Sequence, residues 1–92
     1  MKPSEIRHAI ERKTEYQIRR RKEVNYVIFR QGQRISRVTV PHGRKDLKTG
    51  TERSIRNQLR LDKEQLKDFV NCPLSGEDYA AILDGLIERG EL

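Results

Sequence analysis

The 92-residue sequence contains no tryptophan, a single cysteine, three tyrosines and two phenylalanines. Because Cys72 has no second cysteine to pair with, an internal disulfide is excluded, and the lack of a Cys and His cluster argues against structural zinc. Cys72 precedes Pro73 in a predicted inter-helix turn, where packing is favoured over a nucleophilic role because no histidine is nearby in sequence. This composition favours a reducing cytoplasm, and we expect neither a metal nor another cofactor.

Long apolar runs are also missing. No run approaches the roughly 20 residues that a membrane-spanning helix needs, and no helix opposes a cationic face to a broad apolar one. The first thirty residues are too highly charged for a signal peptide. Hydrophobic residues make up only 34% of the chain. We therefore expect one small domain with an economical core and no membrane partner.

Charge is distributed unevenly along the chain. Residues 1–60 contain 17 Lys or Arg against 6 Asp or Glu, a net charge of +11, whereas residues 61–92 contain 3 against 8, a net charge of −5. A surplus of this size causes self-repulsion unless a polyanion compensates it. Nucleic acid is therefore the leading partner for the first part of the chain.

The first part of the sequence has the pattern of a helix followed by two strands. Pro3 and Ser4 predict a helix start with Ser4 as N-cap, and the apolar spacing ends near Thr14. Alternating apolar residues predict a strand over 16–20. Residues 24–29 are apolar on both faces, which predicts a second strand that is central or well covered.

A third strand and a second helix complete the pattern. Residues 31–33 (QGQ) predict a hairpin turn, and dense β-branched residues over 35–40 predict a strand that Pro41 closes. Gly50 and Thr51 predict a helix start with Thr51 as N-cap, and the helix is expected over 52–60 with Ile55 and Leu59 facing the core. The predicted class is α+β, an α-β-β-β-α domain with a three-stranded antiparallel sheet.

Residues 62–92 form an acidic extension to the predicted domain of residues 1–61. Asp62 with Gln65 and Ser75 with Asp78 have the spacing of helix caps, so two more helices are expected. Gly90 is expected to end the second of them. The default expectation is that both pack on the same domain, and the alternative is that they shield its basic face. Their apolar positions are Leu66, Phe69, Val70, Tyr79, Ile82, Leu83, Leu86 and Ile87.

Two cationic turns are predicted within reach of each other, at residues 19–22 (RRRK) and 44–48 (RKDLK). On the second helix, cations flank the apolar stripe, where a merely solvated face is the alternative. The candidate nucleic-acid-binding residues are Arg20, Arg21, Lys22, His42, Arg44, Lys45, Lys48 and Arg53. Of these, His42 is assigned an orienting or structural role at the end of the strand.

Short segments of this region follow a known pattern: VTVPH at 38–42, KDLK at 45–48, GT at 50–51 and RSI at 53–55. In order and spacing they resemble the second half of HicA-type toxins, small proteins of toxin–antitoxin pairs. With the preceding helix and strands, the resemblance covers residues 1–61. It implies a fold like the double-stranded-RNA-binding domain (dsRBD-like), metal-independent cleavage of messenger RNA, and a HicB-like antitoxin that covers the cleavage site.

The resemblance also implies a catalytic histidine within a Gly-Ser-His segment of the second strand. When Phe29 is aligned with the aromatic residue that follows that segment, Tyr26 takes the position of the histidine. An imidazole exchanges protons near neutral pH, whereas a phenol titrates at about pH 10 and is a poor base. Tyr26 is thus either a hydrogen-bond donor to a phosphate at the catalytic position or an aromatic residue packed in the domain.

Three functions remain open on this sequence. The first is a HicA-like toxin that binds RNA and acts as an endoribonuclease. The second is a nucleic-acid-binding module that has kept the fold and lost the chemistry. The third is a protein-interaction module whose acidic extension contacts a basic surface on the same chain or on a second copy, which would give a homodimer.

Overall fold

The computed structural model of the protein describes residues 1–71 and 73–92, so the prediction for Cys72 lies outside the described residues. The elements follow the order α-β-β-β-α-α-α, which confirms the predicted α+β fold with two further helices. No helix in the described ranges is both long and apolar enough to cross a membrane. The elements are α1 Pro3–Lys13, β1 Glu15–Arg20, β2 Glu23–Arg30, β3 Gln33–Pro41, α2 Thr49–Gln58, α3 Lys63–Asn71 and α4 Gly76–Glu88.

The three strands form one antiparallel sheet in the order β1-β2-β3, which confirms that β2 is central. Gln31 and Gly32 connect β2 to β3 with φ angles of 55° and 73°, the left-handed conformation that a tight two-residue hairpin needs. Ser36 pairs with Ile28 and Arg34 with Phe29, so Ile35 is the extra residue of a β-bulge. The bulge allows both Ile35 and Ser36 to lie away from solvent.

The two faces of the sheet have different environments. Val24, Tyr26 and Ile28 of β2 are buried, and they face the helices. The alternate residues of β2 point to the opposite face, where the side chains are half-buried or exposed. We call this second side the open face. Its members are Glu15, Gln17, Arg19, Glu23, Asn25, Val27, Phe29, Arg34, Arg37 and Thr39.

Helices from both parts of the chain contribute to one core. The predicted inward residues Ile55 and Leu59 are 1% and 0% exposed. In the extension, the ring centroids of Phe69 and Tyr79 lie 5.0 Å apart, and the Tyr79 hydroxyl donates to the Leu59 carbonyl at 2.8 Å. Leu66 is also buried, at 1% exposure. The extension therefore packs its apolar side chains onto the same core as residues 1–61.

The predicted starts of α1 and α2 are wrong by two or three residues. Lys2, and not Ser4, is the N-cap of α1, because Pro3 fits the first helical position and has no N–H to satisfy. Lys48, and not Thr51, is the N-cap of α2. The Glu52 N–H donates to the Lys48 carbonyl at 2.9 Å, so the first turn of α2 already contains Gly50 and Thr51.

The other helix ends follow ordinary capping rules. The helix α2 ends at Gln58 instead of the predicted Arg60, because Arg60 has a φ of 64° and leaves the helical conformation. In the extension both predicted capping boxes are confirmed. Asp62 and Gln65 exchange bonds of 2.7 and 2.9 Å, and Ser75 and Asp78 exchange bonds of 3.0 and 3.1 Å.

Candidate nucleic-acid interface

The two predicted cationic turns meet at one end of the sheet. Antiparallel pairing places Glu23, the first residue of β2, opposite Pro41, the last residue of β3. Just beyond them, Nε2 of His42 lies 2.9 Å from the carbonyl oxygen of Arg21. Because a carbonyl oxygen can only accept, Nε2 carries the hydrogen and donates it. This bond joins the turn that contains Arg21 and Lys22 to the loop after β3.

The start of α1 brings two further cations to the same end, Lys2 at the N-cap and Arg7 in the second turn. The Arg7 guanidinium donates to the Pro41 carbonyl at 2.6 Å, which holds it beside the start of residues 42–48, which we call the basic loop. A concavity of about 360 Å³ lies between the helix and this loop. Its lining residues are Lys2, Ser4, Arg7, His42, Gly43 and Arg44. Lys2 and Arg7 were not among the predicted binding residues. They are far from the loop in the sequence, and nothing in the sequence indicates that they lie near it in the fold.

We define the cationic end as Lys2, Arg7, Arg21, Lys22, His42 and Arg44. The basic loop that follows is anchored at Leu47, whose side chain packs against the core and whose N–H donates to the Met1 carbonyl at 2.9 Å. Lys45 and Lys48 lie on either side of this anchor, and both are exposed. The loop therefore presents its lysines from a fixed backbone.

Arg20 ends β1 next to Arg21, on the border of the cationic end, whereas Arg53 lies on α2. The side chain of Arg20 is exposed at the end of β1, on the face of the sheet that carries Tyr26. Arg53 is exposed on α2, and no hydrogen bond or ion pair in residues 1–71 and 73–92 connects it to either turn. The structure thus gathers Arg20, Arg21, Lys22 and the basic loop at this end of the sheet, and it leaves Arg53 on a separate element.

Tyr26 lies in the core. Its side chain is 0% exposed, and its hydroxyl donates a hydrogen bond to the Glu11 carboxylate of α1. Burial raises the pKa of the Tyr26 phenol well above its ordinary value, the Glu11 carboxylate raises it further, and Arg7 and Arg20 oppose the shift. The phenol is therefore protonated at neutral pH and is directed at Glu11, away from solvent.

A family model described as HicA toxin of bacterial toxin–antitoxin matches residues 4–61. The chain belongs to the HicA toxin family. Proteins of this family pair with antitoxins in toxin–antitoxin systems. No curated protein and no solved structure matches the chain. The matched segment ends at Leu61, immediately before the capping box that begins the acidic extension of this HicA-family protein.

The open face is a second cationic surface of this HicA-family toxin, and it was not predicted. Asn25 organises it: its Oδ1 accepts from the Arg37 guanidinium at 3.2 Å and from the Thr39 hydroxyl at 2.9 Å. A shallow concavity of about 530 Å³ lies on this face, and its lining residues include Arg19, Arg34 and Arg37 but no Asp or Glu. Strand alternation is the sequence signal that could have placed these arginines on one face.

The acidic extension contacts the HicA domain away from the cationic end. Asp84 of α4 forms a bidentate pair with Arg30, at 2.7 and 2.8 Å, and also accepts from Gln31 at 2.7 Å. The Arg30 guanidinium holds the pKa of the Asp84 carboxyl below its usual value. Arg30 ends β2 at the opposite end from Glu23. In the described part of the chain, no hydrogen bond or ion pair joins α3 or α4 to the cationic end, so the shield hypothesis is not supported.

Proposed function

We propose that this HicA-family protein is a cytoplasmic RNA-binding toxin that contacts RNA phosphates through the cationic end and the adjoining lysines. The observation that carries this proposal is the bond between His42 and the Arg21 carbonyl, which gathers cations from two turns beside the start of α1. Cations clustered on fixed backbone release counterions when they meet a phosphate chain. The net charge of +11 over residues 1–60 also favours binding of a polyanion such as RNA.

An antitoxin is the second partner in this proposal. A surface with this density of positive charge is complementary to an acidic protein as well as to RNA. We therefore propose that a HicB-like antitoxin neutralises the toxin by covering the cationic end. Because the acidic extension of the toxin itself lies elsewhere, the shielding charges must come from the partner.

Fluorescence anisotropy with labelled RNA tests the binding proposal. At roughly 50 mM salt, where phosphate contacts are strong, we expect the wild type to bind RNA and a variant with Arg21→Ala, Lys22→Ala and Lys45→Ala to bind at least about tenfold more weakly. A matched control replaces Lys63, Lys67 and Arg89 of the extension by Ala, which removes the same charge. Equal losses in the two triple variants would show that only net charge matters and would refute a specific interface.

Cleavage of the bound RNA is a second candidate function, and the geometry of His42 favours it. Nε2 is used to hold the ring on the Arg21 carbonyl, which leaves Nδ1 to accept a proton among cations that attract phosphate. A base at this position would remove the proton from a 2′-hydroxyl. The 2′ oxygen would then attack phosphorus, and the P–O5′ bond would break as the 5′ oxygen takes that proton back from Nδ1, giving a 2′,3′-cyclic phosphate and a 5′-hydroxyl. This route needs no metal.

Incubation of labelled RNA with purified protein and a chelator tests cleavage. If His42 is the base, the wild type gives a 2′,3′-cyclic phosphate product, His42→Ala abolishes it, and His8→Ala does not. Intact RNA under conditions that give saturated binding would refute the cleavage proposal and leave the binding proposal standing. This outcome would identify the protein as a HicA-family binding module without nuclease chemistry.

A further inference from the structure

Two apolar side chains of the central strand lie on the open face, which the helices do not cover. Val27 and Phe29 belong to β2, yet they are only half-buried, while their neighbours on the other face are covered by helices. The register places Arg37 beside Val27 and Arg34 beside Phe29. The two rows lie about 6.8 Å apart along the strands. A short apolar strip is therefore bordered by guanidinium groups along β3.

The cations that line this concavity are all arginines: Arg19, Arg21, Arg34 and Arg37. The lysines of this region lie instead in the turn and the basic loop, at Lys22, Lys45 and Lys48. One carboxylate is near the strip, because Glu15 pairs with Phe29 across β1, but it lies 3.9 Å from the Arg30 guanidinium. The side of the strip along β3 therefore carries uncompensated positive charge.

The choice of residues distinguishes between two kinds of acidic partner. The carboxylates of an acidic peptide pair with a guanidinium as phosphates do, but such a peptide offers no bases to stack on the guanidinium or on Phe29. A planar guanidinium both pairs with phosphate and stacks on a base, and an aromatic ring stacks on any base. The open face offers both kinds of group. Phe29 supplies an aromatic ring beside Arg34, and Asn25 holds the guanidinium of Arg37 in place. The half-buried apolar strip has only two members, which suits stacking of one or two bases better than a protein interface.

We propose that the open face binds a single-stranded RNA segment, with a base stacked on Phe29 and phosphates paired with Arg34 and Arg37. This inference rests on the proposed function and extends it, because the cationic end alone would accept single strands and duplexes alike. A duplex keeps its bases stacked on each other, so it cannot cover Phe29. The open face therefore makes the toxin prefer unpaired RNA.

Two conservative variants test this site by anisotropy with a labelled single-stranded uridine oligomer of roughly eight nucleotides and a duplex of the same length. Phe29→Leu keeps an apolar side chain and removes the ring, and we expect it to weaken single-strand binding by roughly 5- to 50-fold. Arg37→Lys keeps the charge and removes the planar fork, and it should also weaken binding. The matched controls, Tyr16→Leu and Arg12→Lys, lie off the open face and should bind as the wild type does.

Polyphosphate is the probe that separates stacking from charge, because it has phosphates and no bases. Phe29→Leu should bind polyphosphate as the wild type does, and an equal loss for both probes would overturn the proposal. A wild type that binds no RNA refutes the proposed function and this inference together. If the wild type binds RNA and both variants bind it with the same affinity, the open-face site alone is refuted. A loss of antitoxin binding in these variants would not change that conclusion.

Photo-crosslinking keeps the test decisive if a variant does not fold. A 4-thiouridine oligomer is crosslinked to wild-type protein, and the crosslinked peptides are identified after trypsin digestion. Cleavage after Lys22 and Arg30 releases Glu23–Arg30, which contains Val27 and Phe29. We expect the crosslink in this peptide. Crosslinks confined to residues 42–48 would show that RNA contacts the basic loop without reaching the open face, and would overturn the proposal.

Discussion

The hydroxyl of Tyr26 donates to the carboxylate of Glu11 across the interface between β2 and α1, so the residue at the expected catalytic position is part of the packing of the domain. We expect Tyr26→Phe to lower the free energy of unfolding by about 1–2 kcal/mol, because a half-buried carboxylate loses a hydrogen bond. RNA affinity should not change. Urea denaturation and anisotropy measure the two effects. A folded Tyr26→Phe protein with lost RNA binding or cleavage would show that the phenol contacts RNA.

Alkaline pH should destabilise the protein through its two buried tyrosines. Burial raises the pKa of Tyr26 and of Tyr79 above the ordinary value of about 10, with Glu11 adding to the effect at Tyr26. Above this value the unfolded chain loses protons that the folded protein retains, so stability is complete below about pH 10 and falls as the pH rises further. Urea midpoints measured from pH 8 to pH 11 should decline less steeply for Tyr26→Phe than for the wild type. If the urea midpoint fell equally steeply with pH in the wild type and in Tyr26→Phe, the result would contradict the burial of this phenol.

The bidentate pair between Asp84 and Arg30 should stabilise the contact of α4 with β2 only while Asp84 is ionised. The pKa of Asp84 is lowered by Arg30, so its contribution is present above the ordinary carboxyl pKa and is lost as the pH falls through the folded value. We expect Asp84→Asn to lower the urea midpoint at pH 7, with a difference that shrinks near pH 3. Glu88→Gln, also on α4 and exposed, is the control and should leave the midpoint unchanged. A difference independent of pH would show that the ion pair is not the cause.

Residues 1–61 and the acidic extension should unfold together. Phe69 is 0% exposed and packs against Tyr79, so Phe69→Ala is expected to cost about 3–5 kcal/mol through the cavity that it leaves. Far-ultraviolet circular dichroism reports all helices, and the near-ultraviolet signal of the tyrosines reports Tyr16 and Tyr26 together with Tyr79. The two unfolding curves should coincide for wild type and variant. Separate transitions would show that the extension is an independent domain.

Much of the fold followed from local sequence signals. Capping boxes at Asp62 and Ser75, the turn before Gln33 and the closing Pro41 each depend on a few adjacent residues, and their spacing predicted the elements. The starts of α1 and α2 were missed because the residue that becomes the N-cap is a lysine in both, Lys2 and Lys48. A lysine side chain has no acceptor, so it gives no capping signal.

The candidate site was less predictable, because it depends on contacts between distant segments. The cations of both turns are visible in the sequence, but the convergence of Lys2 and Arg7 with His42 arises from the packing of α1 on β3. For Tyr26, the family pattern indicated a position along the chain but not the face of the strand to which it points. The bulge opposite Ile28 and Phe29 likewise has no clear sequence signal, although it determines which arginines share the open face.

The salt dependence of RNA binding tests the cationic end most directly. If four or five phosphates of a single strand are neutralised, the logarithm of the association constant should fall against the logarithm of salt concentration with a slope of about −3 to −3.5. Replacement of Lys22 and Lys45 by Ala should make this slope shallower by about 0.7 for each lysine. A slope near zero in the wild type, or one that both substitutions leave unchanged, would contradict the assignment of this surface to RNA phosphates.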